Sequence, residues 1–197
     1  MAEAADVASP ASPAPPPPRH DRLDRFDDGV DAFVDAHRSP VLDHVAYGLS
    51  SAADHSLLWF ALMSVRAART GDVRWLVQTA AAQGVESFVT NIGVKALFRR
   101  VRPPDFPDAE ARDLPYGLHV PITSSFPSGH ATAAFTAAAF MSAGARGPVR
   151  VGWYGLAAAV AASRVYVRMH RASDVIGGAA LGVAFGAALR RVGRPSR

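Results

Sequence analysis

The sequence predicts an all-α, membrane-embedded bundle of five to six helices, and three observations carry that expectation. Five apolar segments of helical length follow one another between residues 54 and 190, and three of them approach the roughly 20 residues that a membrane span needs. Hydrophobic residues make up 49% of the 197, with Ala, Gly and Val ahead of Leu and Ile, a composition suited to close helix–helix contact. Trp59, Trp75 and Trp153 lie near segment ends, where interfacial tryptophans belong. A soluble Ala-rich bundle has a similar composition. The mean hydropathy of +0.08 is low for a polytopic chain, lowered by a polar N-terminus and by charged residues between the segments.

In chain order, residues 1–20 hold Pro10, Pro13 and the run Pro15 to Pro18 among Ala and Ser; such a stretch cannot bury a core and is expected to be disordered or polyproline-like. It lacks the basic and apolar regions of a signal peptide. Residues 21–38 place Leu23, Phe26, Val30, Phe33 and Val34 at helical spacing with acids between them, which reads either as an amphipathic helix on a surface or as a solvated helix packed on the rest. Residues 39–192 form the main domain, and 193–197 a basic tail. Within the domain the apolar segments are roughly 54–69, 73–99, a third opening at Ser128, 149–167 and 173–190. The weakly apolar 40–51 either extends the first, supplies a poor sixth span or lies along the interface. A proline-rich connection, 103–127, separates the second and third segments; a loop this long in a compact domain is either disordered or functional.

Several function classes fall away. With no cysteine, disulfides, thiolate metal sites and thiol nucleophiles are excluded. The net charge of +4 fits anionic headgroups as readily as nucleic acid, and no arginine run is interleaved with aromatics as on a nucleic-acid surface. No nucleic-acid partner is expected.

Three motifs carry the chemistry. The first is Lys95-x6-Arg102-Pro103: seven residues are nearly two helical turns, so the two cations project from one face, and Pro103 should end the helix at Arg102. Alone, it reads as a basic cluster at a membrane boundary. The second, Pro127-Ser128-Gly129-His130, offers a preferred N-cap, a glycine that admits a close ligand, and free N–H groups at a helix start suited to an anion. A capped helix with an incidental histidine fits equally. The third is Ser163-Arg164-x5-His170-x3-Asp174. A carboxylate four residues past a histidine can hold one ring nitrogen and sharpen the other as a nucleophile; a surface turn capped by Ser173 or Asp174 is the plain alternative. In an alternating bundle all three motifs emerge on one side, an agreement that chance motifs would lack.

Together these residues resemble the signature of the type 2 phosphatidic acid phosphatase (PAP2) superfamily, K-x6-RP, PSGH and SR-x5-H-x3-D, matched at every position over a resemblance spanning roughly 40–192. The stretch ADHSLLW near residue 53 and SSFPSGHATAAF also look like the bacterial lipid-phosphatase branch. The resemblance implies the helical core shared by these phosphatases, acid phosphatases and haloperoxidases. It also implies His170 as nucleophile oriented by Asp174, and His130 as general acid. Lys95, Arg102 and Arg164, with the amides of Ser128 and Gly129, would bind the phosphate oxygens. No cofactor and no metal are expected, because three cations and a helix N-terminus supply the charge stabilisation that phosphoryl transfer needs.

Arginines 66, 69, 74, 146, 150, 190, 191, 194 and 197 fall on the face opposite the motifs. Loops rich in Lys and Arg stay cytoplasmic, which puts the site on the outer face of a bacterial plasma membrane and the C-terminus inside. The expected substrate is a lipid phosphate: phosphatidic acid, phosphatidylglycerol phosphate or a polyprenyl (pyro)phosphate. Arg112 and His119 could reach a headgroup, although solvated loop residues are the plainer reading. Rival readings are a phosphatase of soluble monoesters or a vanadate-dependent haloperoxidase on the same fold, a non-catalytic binder of anionic lipid, and a soluble DNA-binding helical protein.

Overall fold

A computed structural model describes residues 21–103, 124–189 and 191, and every regular element among them is helical. The order is α1 (Asp21–Ala36), α2 (Pro40–Ala52), α3 (Leu57–Thr70), α4 (Val73–Phe88), α5 (Gly129–Met141), α6 (Gly147–Tyr166) and α7 (Ala172–Ala188). The proline-rich tail, most of the 103–127 connection with Arg112 and His119, and the basic 193–197 tail lie outside the described residues.

The sequence GHATAAFTAAAFM is apolar or small all round, and a helix of that kind has to be enclosed. Accordingly α5 runs through the middle, with Ala131, Ala134, Ala137, Ala138 and Phe140 fully buried, and it packs on α7, α6, α4 and α3. Its closest neighbour is α7, whose glycines explain the fit. A Cβ on Gly178 would lie 2.5 Å from the Ser128 carbonyl oxygen, one on Gly182 2.5 Å from that of Thr132, and one on Gly186 2.4 Å from Ala139 Cβ. This Gly-x3-Gly-x3-Gly seam brings two backbones together, and Thr136 Oγ1 donates across it to the Gly182 carbonyl at 3.2 Å.

Two expectations need correction. Trp59 and Trp75 are not interfacial: both are fully buried with Met63, Ala137 and Phe140, and the Arg66 guanidinium lies 3.7 Å over the Trp75 ring. The α3–α4 hairpin turns its broadest rings inward, where the largely alanine surface of α5 leaves room for them to fill. Of the apolar segments, 149–167 and 173–190 are each one helix, α6 and α7, whereas 73–99 stops being helical after residue 96. No described helix is long and apolar enough to cross a membrane; α3, for example, has 14 residues. The stretch 40–51 is a separate helix, cut from α3 by a turn in which His55 and Ser56 have φ of 52° and 61°.

Helix α1 docks on the body. Its Val30 and Val34 pack against Ala161, Val165 and Val175, while Leu23, Phe26 and Phe33 stay exposed. Asp27 is fully buried; it accepts from the Ser173 amide (2.8 Å) and hydroxyl (2.6 Å) and pairs with Arg100 at 2.6 Å. Asp31 and Asp35 clamp Arg168, each at 2.6 Å.

Two stability predictions follow from this packing. Gly182→Ala should lower stability by about 1–3 kcal/mol through overpacking, whereas Gly155→Ala, with nothing within 4 Å of its Cβ, should be neutral or slightly stabilising; thermal unfolding in detergent separates them. Arg100→Met strands two buried carboxylates, Asp27 and Asp174, and should cost about 3–5 kcal/mol by the same measurement.

Candidate active site

The chain leaves the α4 helix sooner than the Lys95–Arg102 spacing suggests. A π-helical turn, Val89–Val94, follows α4, and helical structure ends at residue 96, so Arg102 does not share a helix face with Lys95. It arrives instead on a non-helical strip, 98–103, held by two backbone ties: Arg100 N–H donates to Ser124 Oγ (3.2 Å), and Ser125 N–H to the Arg100 carbonyl (2.9 Å). Arg102 Nη1 then donates to the Met169 carbonyl at 2.6 Å, beside the histidine of the third motif. The two cations do converge, by a different route from the one their spacing implies.

In the second motif Ser128 is the N-cap of α5, its hydroxyl accepting from the Ala131 N–H. Its own N–H donates to the Asp174 carbonyl at 3.0 Å. Ser128 therefore ties α5 to α7 through its amide, which is not left for a phosphate oxygen. Gly129 does line the cavity, and its lack of a side chain makes room for the π-helical turn: a Cβ there would fall 2.9 Å from Asn91 Oδ1.

The third motif closes through an unusual backbone. Arg168 has φ of 60°, a region non-glycine residues seldom occupy, and the amides of Met169 and His170 both donate to the Arg164 carbonyl at 3.1 Å. The turn delivers His170, almost fully buried, into the cavity. Asp174, at the third position of α7, accepts from the Arg171 N–H (3.0 Å), from Arg100 Nη1 (2.6 Å) and from Ser125 Oγ (2.5 Å). Its Oδ2 lies 3.7 Å from His170 Nδ1, beyond hydrogen-bond range but close enough to polarise the ring. Burial pushes the His170 pKa down to about 3, with the charges of Arg102 and Arg164 acting in the same direction against the pull of Asp174. The imidazole is neutral at ordinary pH, the form a nucleophile needs.

One cavity of about 890 Å³ gathers the expected residues: Lys95, Arg102, Gly129, His130, Arg164 and His170 all line it. Ser128 and Asp174 stand behind the wall. Further along, the wall is Phe60, Gln83, Ser87, Phe88, Asn91 and Ile92, and the volume is that of a site for a drug-sized molecule, larger than a phosphate alone requires. Buried Arg164 donates from Nη1 to Ser50 Oγ (2.5 Å). His130 Nε2 is hydrogen-bonded to Asp54 Oδ1 at 2.7 Å.

Sequence reasoning missed Asp54, Arg100 and Ser125 as parts of the site. For Asp54 a signal existed, the DHS tripeptide ahead of LLW in the stretch singled out near residue 53. For Arg100 none did, since Arg99 beside it looks identical and has no such role. No group of three or more His, Cys, Asp or Glu side chains placed to hold a metal ion occurs among the described residues.

Comparison with known proteins bears on the same residues. Decaprenylphosphoryl-5-phosphoribose phosphatase of Mycobacterium tuberculosis is 34% identical over 150 residues, covering 75% of this chain and 78% of that protein. The crystal structure of a transmembrane PAP2 type phosphatidylglycerolphosphate phosphatase from Bacillus subtilis superposes with a TM-score of 0.68 at 22% identity, over 86% of this chain and 85% of that one. LpxE of Aquifex aeolicus gives 0.62 at 24% identity, over 83% and 93%. The model of the PAP2 superfamily matches residues 74–196, the span that holds all three motifs, and the chain belongs to that superfamily.

Proposed function

We propose that this chain is a metal-independent phosphatase that hydrolyses a phosphate monoester or pyrophosphate of a membrane lipid through a phosphohistidine. The observation that carries the reading is the cavity itself: three cations on separate elements, Lys95, Arg102 and Arg164, share it with the two motif histidines, His130 and His170, and with His55. A binder of anionic lipid needs the cations and has no use for a buried neutral imidazole facing them. His170, backed by Asp174, is the nucleophile; His130 protonates the leaving oxygen; Lys95, Arg102, Arg164 and the Gly129 amide take the equatorial oxygens. Phosphoryl transfer of this kind asks the protein for positioning and charge.

Two features favour a lipid over a soluble ester. Val73, Val77, Val85, Phe88 and Ile92 are exposed in a stripe along α4, the kind of apolar surface that marks a membrane or partner contact. Phe88 and Ile92 also line the cavity, so its mouth opens through that stripe, where an acyl or prenyl tail can stay in the bilayer while the phosphate enters. The names of the relatives point the same way, from a decaprenyl lipid to a phosphatidylglycerol phosphate. In this reading the protein resides in the bacterial plasma membrane, with the site on the outer face and the arginine-rich C-terminus in the cytoplasm.

Wild-type protein in detergent should release phosphate from a short-chain lipid phosphate in the presence of EDTA, and His170→Ala should reduce the rate at least about 10³-fold with unchanged thermal unfolding; full activity in that variant overturns the mechanism. The His170 pKa gives a second test. Below the ordinary histidine value of about 6.5 the unfolded chain binds a proton there that the folded one, with a pKa of about 3, refuses. The unfolded state holding more protons, stability declines as pH falls from about 6.5 toward 3, and His170→Gln should flatten that decline in a melting-temperature series against pH.

A further inference from the structure

Asp54 belongs to none of the three motifs, yet its carboxylate sits on the cavity wall between two of them. Oδ1 is 2.7 Å from His130 Nε2 and 3.5 Å from Arg164 Nη1, and the same arginine nitrogen is held by Ser50 from one turn earlier in the chain. Asp54 lies just past the end of α2 at Ala52, and the positive-φ pair His55 and Ser56 that follows it turns the chain into α3. Local backbone strain of this kind persists where the surroundings over-determine it.

We propose that Asp54 is a positioning residue for protonation of the leaving group. It holds the His130 ring by Nε2, which makes Nδ1 the nitrogen that serves the departing oxygen, and it couples that ring to the phosphate-binding Arg164. The proposal rests on the phosphatase reading above. As His170 attacks, an N–P bond forms and the P–O ester bond breaks, its electron pair leaving on the ester oxygen; the proton on His130 Nδ1 passes to that oxygen and an alcohol departs. The ring is then neutral, with its remaining proton on Nε2 still donated to Asp54. Nδ1 next takes a proton from water as the water oxygen bonds to phosphorus and the P–N bond breaks, which restores both histidines. The charged and titratable groups that line the cavity with His130 are Asp54 and His55 from the turn before α3, Lys95 from just past the π-helical turn, Arg102 from the 98–103 strip, Arg164 from α6 and His170 from the α6–α7 turn. Burial, with Arg164 and Lys95, pushes the His130 pKa down to about 4, whereas Asp54 and a bound phosphate dianion favour the charged ring. Without Asp54 the acid form is lost at lower pH.

The test compares two substrates in the full-length protein: a short-chain alkyl lipid phosphate, whose leaving alkoxide needs a proton, and 4-nitrophenyl phosphate, whose phenolate leaves without one. In Asp54→Asn, kcat for the alkyl ester should fall about 100-fold, the lower range for general acid catalysis, and kcat for the aryl ester only a few-fold. The alkaline limb of the alkyl-ester pH profile should move to lower pH, and Asp54→Glu should restore part of the loss. Combined with His130→Ala, Asp54→Asn should leave the alkyl-to-aryl rate ratio where His130→Ala alone sets it. Equal losses on both substrates with an unmoved alkaline limb, or a further change of the ratio in the double variant, overturn the assignment. If Asp54→Asn does not fold, Asp54→Glu decides: an alkaline limb that has moved despite the retained charge counts against the proposal. A wild-type protein that turns over neither substrate removes the phosphatase reading itself, a result distinct from all of these.

Discussion

The site depends on how one buried negative charge is satisfied. Asp174 is fully excluded from solvent, and an ion in that position is tolerated only when surrounded by donors. Its donors come from separate stretches of chain: Arg100 from the strip after α4, Ser125 from the segment that leads into α5, and the Arg171 amide from the turn after α6. The backbone carbonyl of the same residue receives the Ser128 amide. Both ends of the long 103–127 connection are thus drawn to one carboxylate. Lys95, Arg102, His130 and His170 converge on the cavity because the segments that carry them are fastened there.

How far the sequence discloses this depends on the range of the interaction. The enclosed α5 was legible because thirteen residues without a charged side chain other than a histidine leave no face for water, and the convergence of the motifs was legible from chain order alone. The reasoning failed where a local rule competed with a distant contact. Seven-residue spacing put Lys95 and Arg102 on a helix face, but the ties from Arg100 to Ser124 and Ser125 pull the strip out of helical geometry. The motif serine reads as a lining residue, and its hydrogen bonds go to its own helix and to α7. Asp54 reads as an acid preceding an apolar helix, since nothing in spacing connects it to a histidine 76 residues away.

Helix α1 shows the same limit in its orientation. Hydrophobic periodicity assigns it an apolar and an acidic side without saying which faces the protein. The basic turns around Arg100 and Arg168 decide, because those cations need counter-charges more than the body needs Leu23 or Phe33. The helix turns Asp27 and Asp31 inward beside Val30 and Val34 and leaves Leu23, Phe26 and Phe33 outside, a mixed face where a surface helix usually presents an apolar one. Arg100 consequently spans two carboxylates, linking α1 to the residue that backs the nucleophile.

The family-matched region begins at residue 74, and the carboxylates of Asp27 and Asp54 both lie before it while touching residues within it. The boundary drawn by similarity and the boundary drawn by electrostatics are therefore different lines. A fragment trimmed to the first would keep every signature side chain, yet leave Arg100 with one of its two carboxylates and His130 with none.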